Sequence, residues 1–345
     1  RKHTTSRFSS ATLSILPLGK CWASEIMETS TDNFQHVPVL VEEMLANLPE
    51  QPATLLDCTL GGAGHSSALL SHCPEAQLRG IDRDPVAVEA SRQRLETRFP
   101  GRTDVRQARF SELPAYVKLW RLRYDFVIAD LGMSSEQLQR AERGFSFLLD
   151  GPLDMRMDPN SSDPNAAQLL RKINEHELRR CLREYGEERN AAKITRTIIE
   201  RRRTNPIRTT AELADLVAST IPRRFHKPGF HPATLTFQAL RIAVNGELEE
   251  LETLLNILPD FLNPGGRLAI ISFHSLEDRP VKKQFREWEQ PCTCPPHLPY
   301  CICGKQSIGR AVNRSPIMAT ETEVSDNPRS RSAKLRVFEF KEWSD

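Results

Sequence analysis

The chain has 345 residues, of which 39% are hydrophobic and 27% charged, and its formal net charge is +2. That composition is globular and excludes a disordered or fibrous polymer; with no apolar run near ~18 residues, it gives no sign of a membrane-spanning helix. A net charge this small means that contact with a polyanion must come from a local basic patch and not from the overall field.

The first 24 residues stand apart. They hold Arg1, Lys2, Arg7 and Lys20, eight Ser or Thr, and no acid before Glu25. This composition suits a mitochondrial transit segment, here assigned to 1–30, and it lacks the sustained apolar core of a secretory signal. Folding pattern begins near Phe34. His36-Val37-Pro38-Val39-Leu40 leads into a periodic stretch through Met44, Leu45 and Leu48, a helix closed by Pro49 and Pro52. Thr54-Leu55-Leu56-Asp57-Cys58 reads as a short buried strand, followed by Gly61-Gly62-Ala63-Gly64 and a helix from about His65 to Ser71. Leu78–Asp82 is a second strand, and Asp84-Pro85 opens the next helix. Asp104–Ala108 and Tyr124–Asp130 supply a third and a fourth strand. Four strands alternating with helices predict an α/β, doubly wound parallel sheet.

The alternation then stops. From Ala166 to Val217 the pattern is helical and polar, and between Arg171 and Lys227 there are 15 Lys or Arg against 8 Asp or Glu. This predicts a helical insertion with a basic face, including Arg179, Arg180, Arg183, Arg189, Lys193, Arg196, Arg201, Arg202 and Arg203. Such a face either binds phosphates without reading sequence or is an ordinary solvated surface. One helix from about Thr236 to Leu255, a turn at Asn263-Pro264-Gly265-Gly266, a strand at Arg267–Ser272 and a last strand at Ala333–Phe340 complete the pattern.

The strand, glycine turn and helix at 54–70 are built for a ligand, because glycines let the backbone approach and the helix N-terminus offers N–H groups. The run Gly62-x-Gly64-x-x-Ser67 lacks the third glycine of a dinucleotide site. Asp57, just before the turn, would repel a pyrophosphate but would accept hydrogen bonds from the ammonium of S-adenosylmethionine, directly or through water. Asp82 ends the second strand, 20 residues after Gly62, an offset that suits two ribose hydroxyls; capping of the next helix is the plainer reading. Phe110, after the third strand, is a lone aromatic that either stacks on adenine or belongs to the core. Asp130, at the end of the fourth strand, is the candidate catalytic acceptor for an amino group undergoing methylation; ordering the loop or touching the cofactor are the other readings. Carbon methylation of a pyrimidine would need a cysteine nucleophile, whereas nitrogen methylation does not, and Cys58 reads as packing.

These residues resemble the small-subunit ribosomal-RNA cytosine-N4 methyltransferases of the MraW/RsmH family. The resemblance is carried by Asp57-Cys58-Thr59-Leu60-Gly61-Gly62-Ala63-Gly64-His65-Ser66, by Ile81-Asp82-Arg83-Asp84-Pro85, and by Arg143-Gly144-Phe145-Ser146-Phe147 continuing into Asp150–Asp158. Tyr185-Gly186-Glu187-Glu188-Arg189, His231-Pro232-Ala233-Thr234, Ser272–Arg279 and Asn327–Ser332 extend it. It implies a Rossmann-like S-adenosylmethionine domain at 34–135 and 235–345, with an inserted helical RNA-binding domain at 136–234. It implies cofactor contacts at Ala63, Gly64, His65, Asp82, Phe110, Asp130 and Gln137; Gly62 of the glycine turn is a further cofactor candidate, and no membrane partner is expected. The partner it implies is small-subunit ribosomal RNA or an assembling small subunit. With the basic leader, the expected compartment is the mitochondrial matrix.

Phe273, His274 and Ser275 follow the fifth strand and are the candidate contacts to a flipped-out cytosine; pairing of His274 with Glu277 or Asp278 is the structural alternative. One departure from the family is Gly246, where members usually carry Asp or Ser; inside a helix it would cost about 1 kcal/mol relative to Ala. Cys292, Cys294, Cys301 and Cys303 form two C-x-C pairs. Four thiols satisfy a tetrahedral zinc, but the usual knuckle is C-x₂-C, so a metal-free Pro-rich loop is the expectation and no metal is assigned. The rival functions are methylation of another nucleic acid or a protein, a ribosome-assembly factor that binds S-adenosylmethionine and acts mainly by docking on RNA, and, more remotely, a dehydrogenase.

Overall fold

The computed structural model describes residues 38–226, 229–295 and 300–341. The leader, together with His36 and Val37, lies outside the described residues. The strands are β1 (Thr54–Asp57), β2 (Gln77–Asp82), β3 (Thr103–Gln107), β4 (Tyr124–Asp130), β5 (Leu262–Ser272), β6 (Gly309–Ala311), β7 (Ile317–Met318) and β8 (Lys334–Phe340). They form one sheet in the order β3-β2-β1-β4-β5-β8-β6, with β7 also pairing with β8. The first five strands are parallel, and β8 runs antiparallel to β5, β6 and β7. The chain winds outward from β1 to β3 and then restarts on the other side of β1 with β4. A crevice therefore opens at the carboxyl ends of β1 and β4, where open parallel sheets bind ligands.

Helices cover both faces, which is why β4 is a near-continuous apolar run and not an alternating one. On one face Leu56, Val127, Ala129, Leu268 and Ile270 pack against α4 (Leu113–Trp120), α11 (Glu247–Ile257) and α12 (Ser275–Glu289). On the other, Leu55, Phe126, Ile128, Ala269 and Ile271 pack against α1 (Val41–Leu45), α2 (Gly64–His72) and α3 (Pro85–Arg98). α3 starts where its sequence says it should: the Asp84 carboxylate accepts from the Val86 N–H at 3.0 Å, and Pro85 occupies the first turn.

After β4 and the short α5 (Ser135–Gln139) comes the helical unit: α6 (Ala166–Lys172), α7 (Glu175–Glu184), α8 (Ala191–Thr204), α9 (Thr210–Thr220) and α10 (Thr234–Asn245). It has its own core of Leu178, Leu182, Ile194, Ile198, Leu213 and Val217, which Phe237 and Leu240 of α10 join. α10 therefore packs with the helical unit, whereas the boundary expected at 234–235 assigned it to the methyltransferase domain. The last helix, α13 (Glu321–Asp326), lies between β7 and β8.

Two expectations are corrected. The single helix expected over 236–255 is α10 and α11, which meet at Gly246 with φ +59°. Glycine there is the residue that tolerates the left-handed conformation best, so it eases a helix ending and does not weaken a helix interior. The Asn263-Pro264-Gly265-Gly266 turn lies inside β5, where the pairing with β4 jumps from Tyr124↔Leu262 to Phe126↔Arg267. The extra residues are a bulge that leaves the strand intact on either side. No described helix is long and apolar enough to cross a membrane.

Candidate active site

Asp57, Asp82 and Asp130 end the adjacent strands β1, β2 and β4, so three carboxylates converge on the crevice. Their surroundings give each a different task. Asp57 is 1% exposed and accepts from the Thr59 N–H at 2.9 Å and the Ser66 hydroxyl at 2.6 Å. It fastens the glycine turn to the first turn of α2, and burial raises its pKa against the lowering by Ser66 and Thr59. Asp57, expected to accept from the ammonium directly or through water, here accepts from Thr59 and Ser66 and so braces the turn.

Asp82 accepts from the Gly61 N–H and the Asp84 N–H, each at 2.8 Å and each on a separate oxygen. Every carboxylate oxygen has a second lone pair, so a neighbouring diol can still be bound. Burial pushes this carboxyl up to about 6, against the lowering by those two N–H groups. The turn it holds is tight. Gly61 has φ +49°, Ala63 has φ +58°, and a Cβ at Gly64 would lie 2.9 Å from Cγ of Pro38. α2 has no side-chain N-cap, which leaves its first N–H groups facing the crevice as hydrogen-bond donors.

Asp130 is the least satisfied of the three. Its backbone N–H donates to the Thr59 hydroxyl at 2.6 Å, but its Oδ1 is buried without a hydrogen-bond partner. Its Oδ2 lies 3.6 Å from Nδ1 of His65, whose Nε2 is 2.8 Å from the Val39 carbonyl. Desolvation raises the Asp130 carboxyl to about 6; His65 opposes the rise, and Asp57 and Glu277 add to it. A buried acceptor with an open lone pair suits a donor arriving from outside. Thr59 is a site residue that the sequence reading missed, although its hydroxyl lies within the quoted glycine-turn motif.

The structure brings Phe273 to the same place: a Cβ on Gly132, in the loop after β4, would meet Phe273 Cδ2 at 3.6 Å. His274 takes the structural alternative. Its Nε2 is 3.2 Å from Glu277 Oε1 and 3.3 Å from an Arg241 nitrogen, while Asp278 pairs instead with Arg336. Arg241 also holds Glu247 through two hydrogen bonds at 2.9 and 2.8 Å. Glu247, His274 and Glu277 are close enough together to ligate a metal, but the Arg241 guanidinium already pairs with both carboxylates of this cluster. Nδ1 of His274 remains buried and unpartnered. Ser275 donates to Glu187 at 3.2 Å, and Arg279 pairs with the same carboxylate, tying the helical unit to the start of α12.

Gln137 is buried, and both ends of its carboxamide are engaged. The Gln137 amide donates to Asp84 at 2.9 Å and its carbonyl accepts from the Ser134 N–H at 3.1 Å. Asp84 in turn pairs with buried Arg143 at 2.7 Å, a contact that the sequence reading did not anticipate. Phe110 is half-buried beside the core of the α4 face, and the adjacent Ser111 is bound to Glu250. Of the basic residues, Arg179, Arg180 and Arg183 are exposed on α7, opposite its buried Leu178, Cys181 and Leu182. Arg202 instead donates to the carbonyls of Leu170 and Ile173, and Lys193 to that of Thr220, so these two are internal ties.

A doubly wound sheet whose order is 3-2-1-4-5 with an antiparallel strand beyond, and whose strand ends carry acids around a glycine turn, defines a Rossmann-like methyltransferase. The chain belongs to the MraW methylase family, whose model matches residues 33–341. It is 50% identical over 311 residues to ribosomal RNA small subunit methyltransferase H of Trichlorobacter lovleyi, covering 89% of this chain and 99% of that protein. The protein of the same name from Geobacter sp. is 49% identical over 311 residues, with the same coverages. Among solved structures, an rRNA methylase from Streptococcus thermophilus aligns over 88% of this chain and 95% of its own, at 11% identity and a TM-score of 0.40.

Proposed function

We propose that this methylase transfers a methyl group from S-adenosylmethionine to the N4 amino group of a cytidine in small-subunit ribosomal RNA, and that it works in the mitochondrial matrix. The unpartnered Oδ1 of Asp130, at the end of β4 and beside Phe273, carries the reading. The cofactor supplies an electrophilic methyl carried on sulfur. Asp82 would hold the ribose hydroxyls, the α2 N-terminus and the turn at Gly62–His65 would hold the amino-acid end, and Phe110 and Gln137 would hold the nucleoside.

A cytosine amino group is a weak nucleophile because its lone pair is delocalised into the ring. Asp130 Oδ1 accepts an N–H of that amino group, which orients the nitrogen and stabilises the positive charge that grows on it. The proton then has an acceptor of suitable strength in a carboxylate whose pKa is about 6. Phe273 offers a face on which the extruded base stacks, a role for which a duplex must open. Arg179, Arg180 and Arg183 hold the phosphates around it.

The relatives' names support ribosomal RNA as the polymer. The basic, hydroxyl-rich and acid-free start of the chain supports mitochondrial import. The test is mass spectrometry of nucleosides from mitochondrial small-subunit ribosomal RNA, in cells with and without the protein. Loss of N4-methylcytidine, restored by the wild type and not by Asp82→Ala, is expected. An unchanged level would redirect the search to another RNA or compartment.

A further inference from the structure

The segment 290–308 leaves the end of α12 and returns to β6, and it contains none of the described helices or strands. Its neck is closed by the Ile308 N–H donating to the Trp288 carbonyl at 3.0 Å. Long excursions without secondary structure need some other source of order. Tyr300 and Ile302 are 80% and 78% exposed, so these two apolar side chains do not order the loop by burial.

What it does gather is sulfur. Cys301 Sγ lies 3.5 Å from Cys292 Sγ, 3.9 Å from Cys294 Sγ and 3.3 Å from Cys303 Sγ. All four sulfurs lie within 4.8 Å of one another. In a zinc tetrathiolate with Zn–S bonds of ~2.3 Å, the edge of the sulfur tetrahedron is about 3.8 Å, and the observed spacings cluster around that length. A disulfide pairs two sulfurs and leaves the others apart. Here Cys301 is close to three others at once, which is the arrangement of a shared centre. The Ile302 N–H donates to Cys294 Sγ at 3.3 Å, the kind of backbone contact that steadies a metal-bound thiolate. Gly304, directly after Cys303, has φ +66° and lets the chain turn away from the cluster.

We propose that Cys292, Cys294, Cys301 and Cys303 bind one structural zinc ion that fixes the 290–308 loop. The C-x-C spacing, which favoured a metal-free loop in the sequence, is no obstacle once the bend at Cys294 turns both pairs toward a common point. The site is closed, with four protein ligands and no open position, so it orders the chain and takes no part in methyl transfer. It sits at the far end of α12 from Ser275, and its loss leaves the crevice at β1, β2 and β4 in place.

The test uses the full chain, purified under reducing conditions after growth with zinc and then desalted. Elemental analysis should find about one zinc per chain, as four thiolates in one tetrahedral site require. Replacing zinc by cobalt(II) should give the intense visible bands of a tetrahedral tetrathiolate. The double variant Cys292→Ser, Cys303→Ser should lose the metal and the bands while binding S-adenosylhomocysteine as the wild type does. Should that variant misfold, the wild type supplies the second readout: stripping the metal with a chelator should open 290–308 to protease and leave nucleoside binding intact. Four freely reactive thiols with no retained zinc, a disulfide within the cluster under reducing conditions, or zinc retained by the double variant would each overturn the proposal.

Discussion

Asp130→Asn should make the protein more stable and less active, and the size of the first effect follows from the site. The Asp130 carboxyl titrates at about 6 in the folded chain against an ordinary value of 3.8, with burial as the main cause. Because the folded state holds the proton more tightly than the unfolded chain, stability is greatest at low pH and falls as pH rises through that window. Above it the cost of keeping the carboxylate ionised is constant, at about 3 kcal/mol if each pH unit is worth ~1.4 kcal/mol. An amide of the same shape avoids this cost. It also fits: with the Nε2 hydrogen of His65 on the Val39 carbonyl, a neutral ring presents Nδ1 as an acceptor toward position 130, where an asparagine can donate. For a chain of this length, at ~2.1 cal/mol/K per residue, about 3 kcal/mol corresponds to a rise of about 4 °C in Tm near neutral pH. The gain should fall by about half near pH 5, because the wild type is by then partly protonated. Paired denaturation curves at the two pH values measure it, and a methyl-transfer assay should show the activity lost. A destabilised Asn variant, or a gain independent of pH, would refute the assignment of Asp130 as a strained, unsatisfied acid.

Other perturbations separate the remaining claims. Asp82→Asn keeps one acceptor oxygen but sets an amide N–H against a backbone N–H, so S-adenosylhomocysteine affinity should fall roughly 10- to 100-fold, as expected for loss of charged hydrogen bonds of ~1.5–3 kcal/mol; calorimetric titration reads it. Gly246→Ala should destabilise the protein by about 1 kcal/mol or more because of its left-handed backbone, whereas a mid-helix glycine would give a gain of similar size, so chemical denaturation decides between the two. Arg179→Glu with Arg183→Glu should weaken RNA binding and flatten its dependence on salt, leaving cofactor affinity unchanged. Affinity for S-adenosylmethionine, which is cationic, should fall on acidification below about pH 6 as Asp82 and Asp130 take up protons, and a flat profile between pH 5 and 8 would count against both acids.

The sheet was legible because β1 and β4 are short apolar runs ending on acids, the mark of buried parallel strands, and β2, though mixed, ends on an acid as well. Asp82, Asp130 and the glycine turn could be placed for the same reason: strand ends define the crevice. β6 and β7, three and two residues long, carry no periodicity and were invisible. The enclosure of Asp57, the Asp84–Arg143 pair and the choice of Glu277 over Asp278 by His274 depend on contacts between distant segments, and local pattern does not encode them. Gly246 was misread because helical periodicity continues on both sides of it, and a change in helix direction leaves that periodicity nearly intact.

The roles of Asp82 and Asp130 depend on S-adenosylmethionine binding in the crevice at the ends of β1, β2 and β4. Hydrogen-exchange mass spectrometry of the full chain with and without S-adenosylhomocysteine tests it most directly. Protection is predicted at 57–67, 82–84, 107–111 and 130–137, and it should disappear in Asp82→Ala. Binding with protection elsewhere, or protection of these segments by NADH and not by the methyl-donor product, would contradict the account.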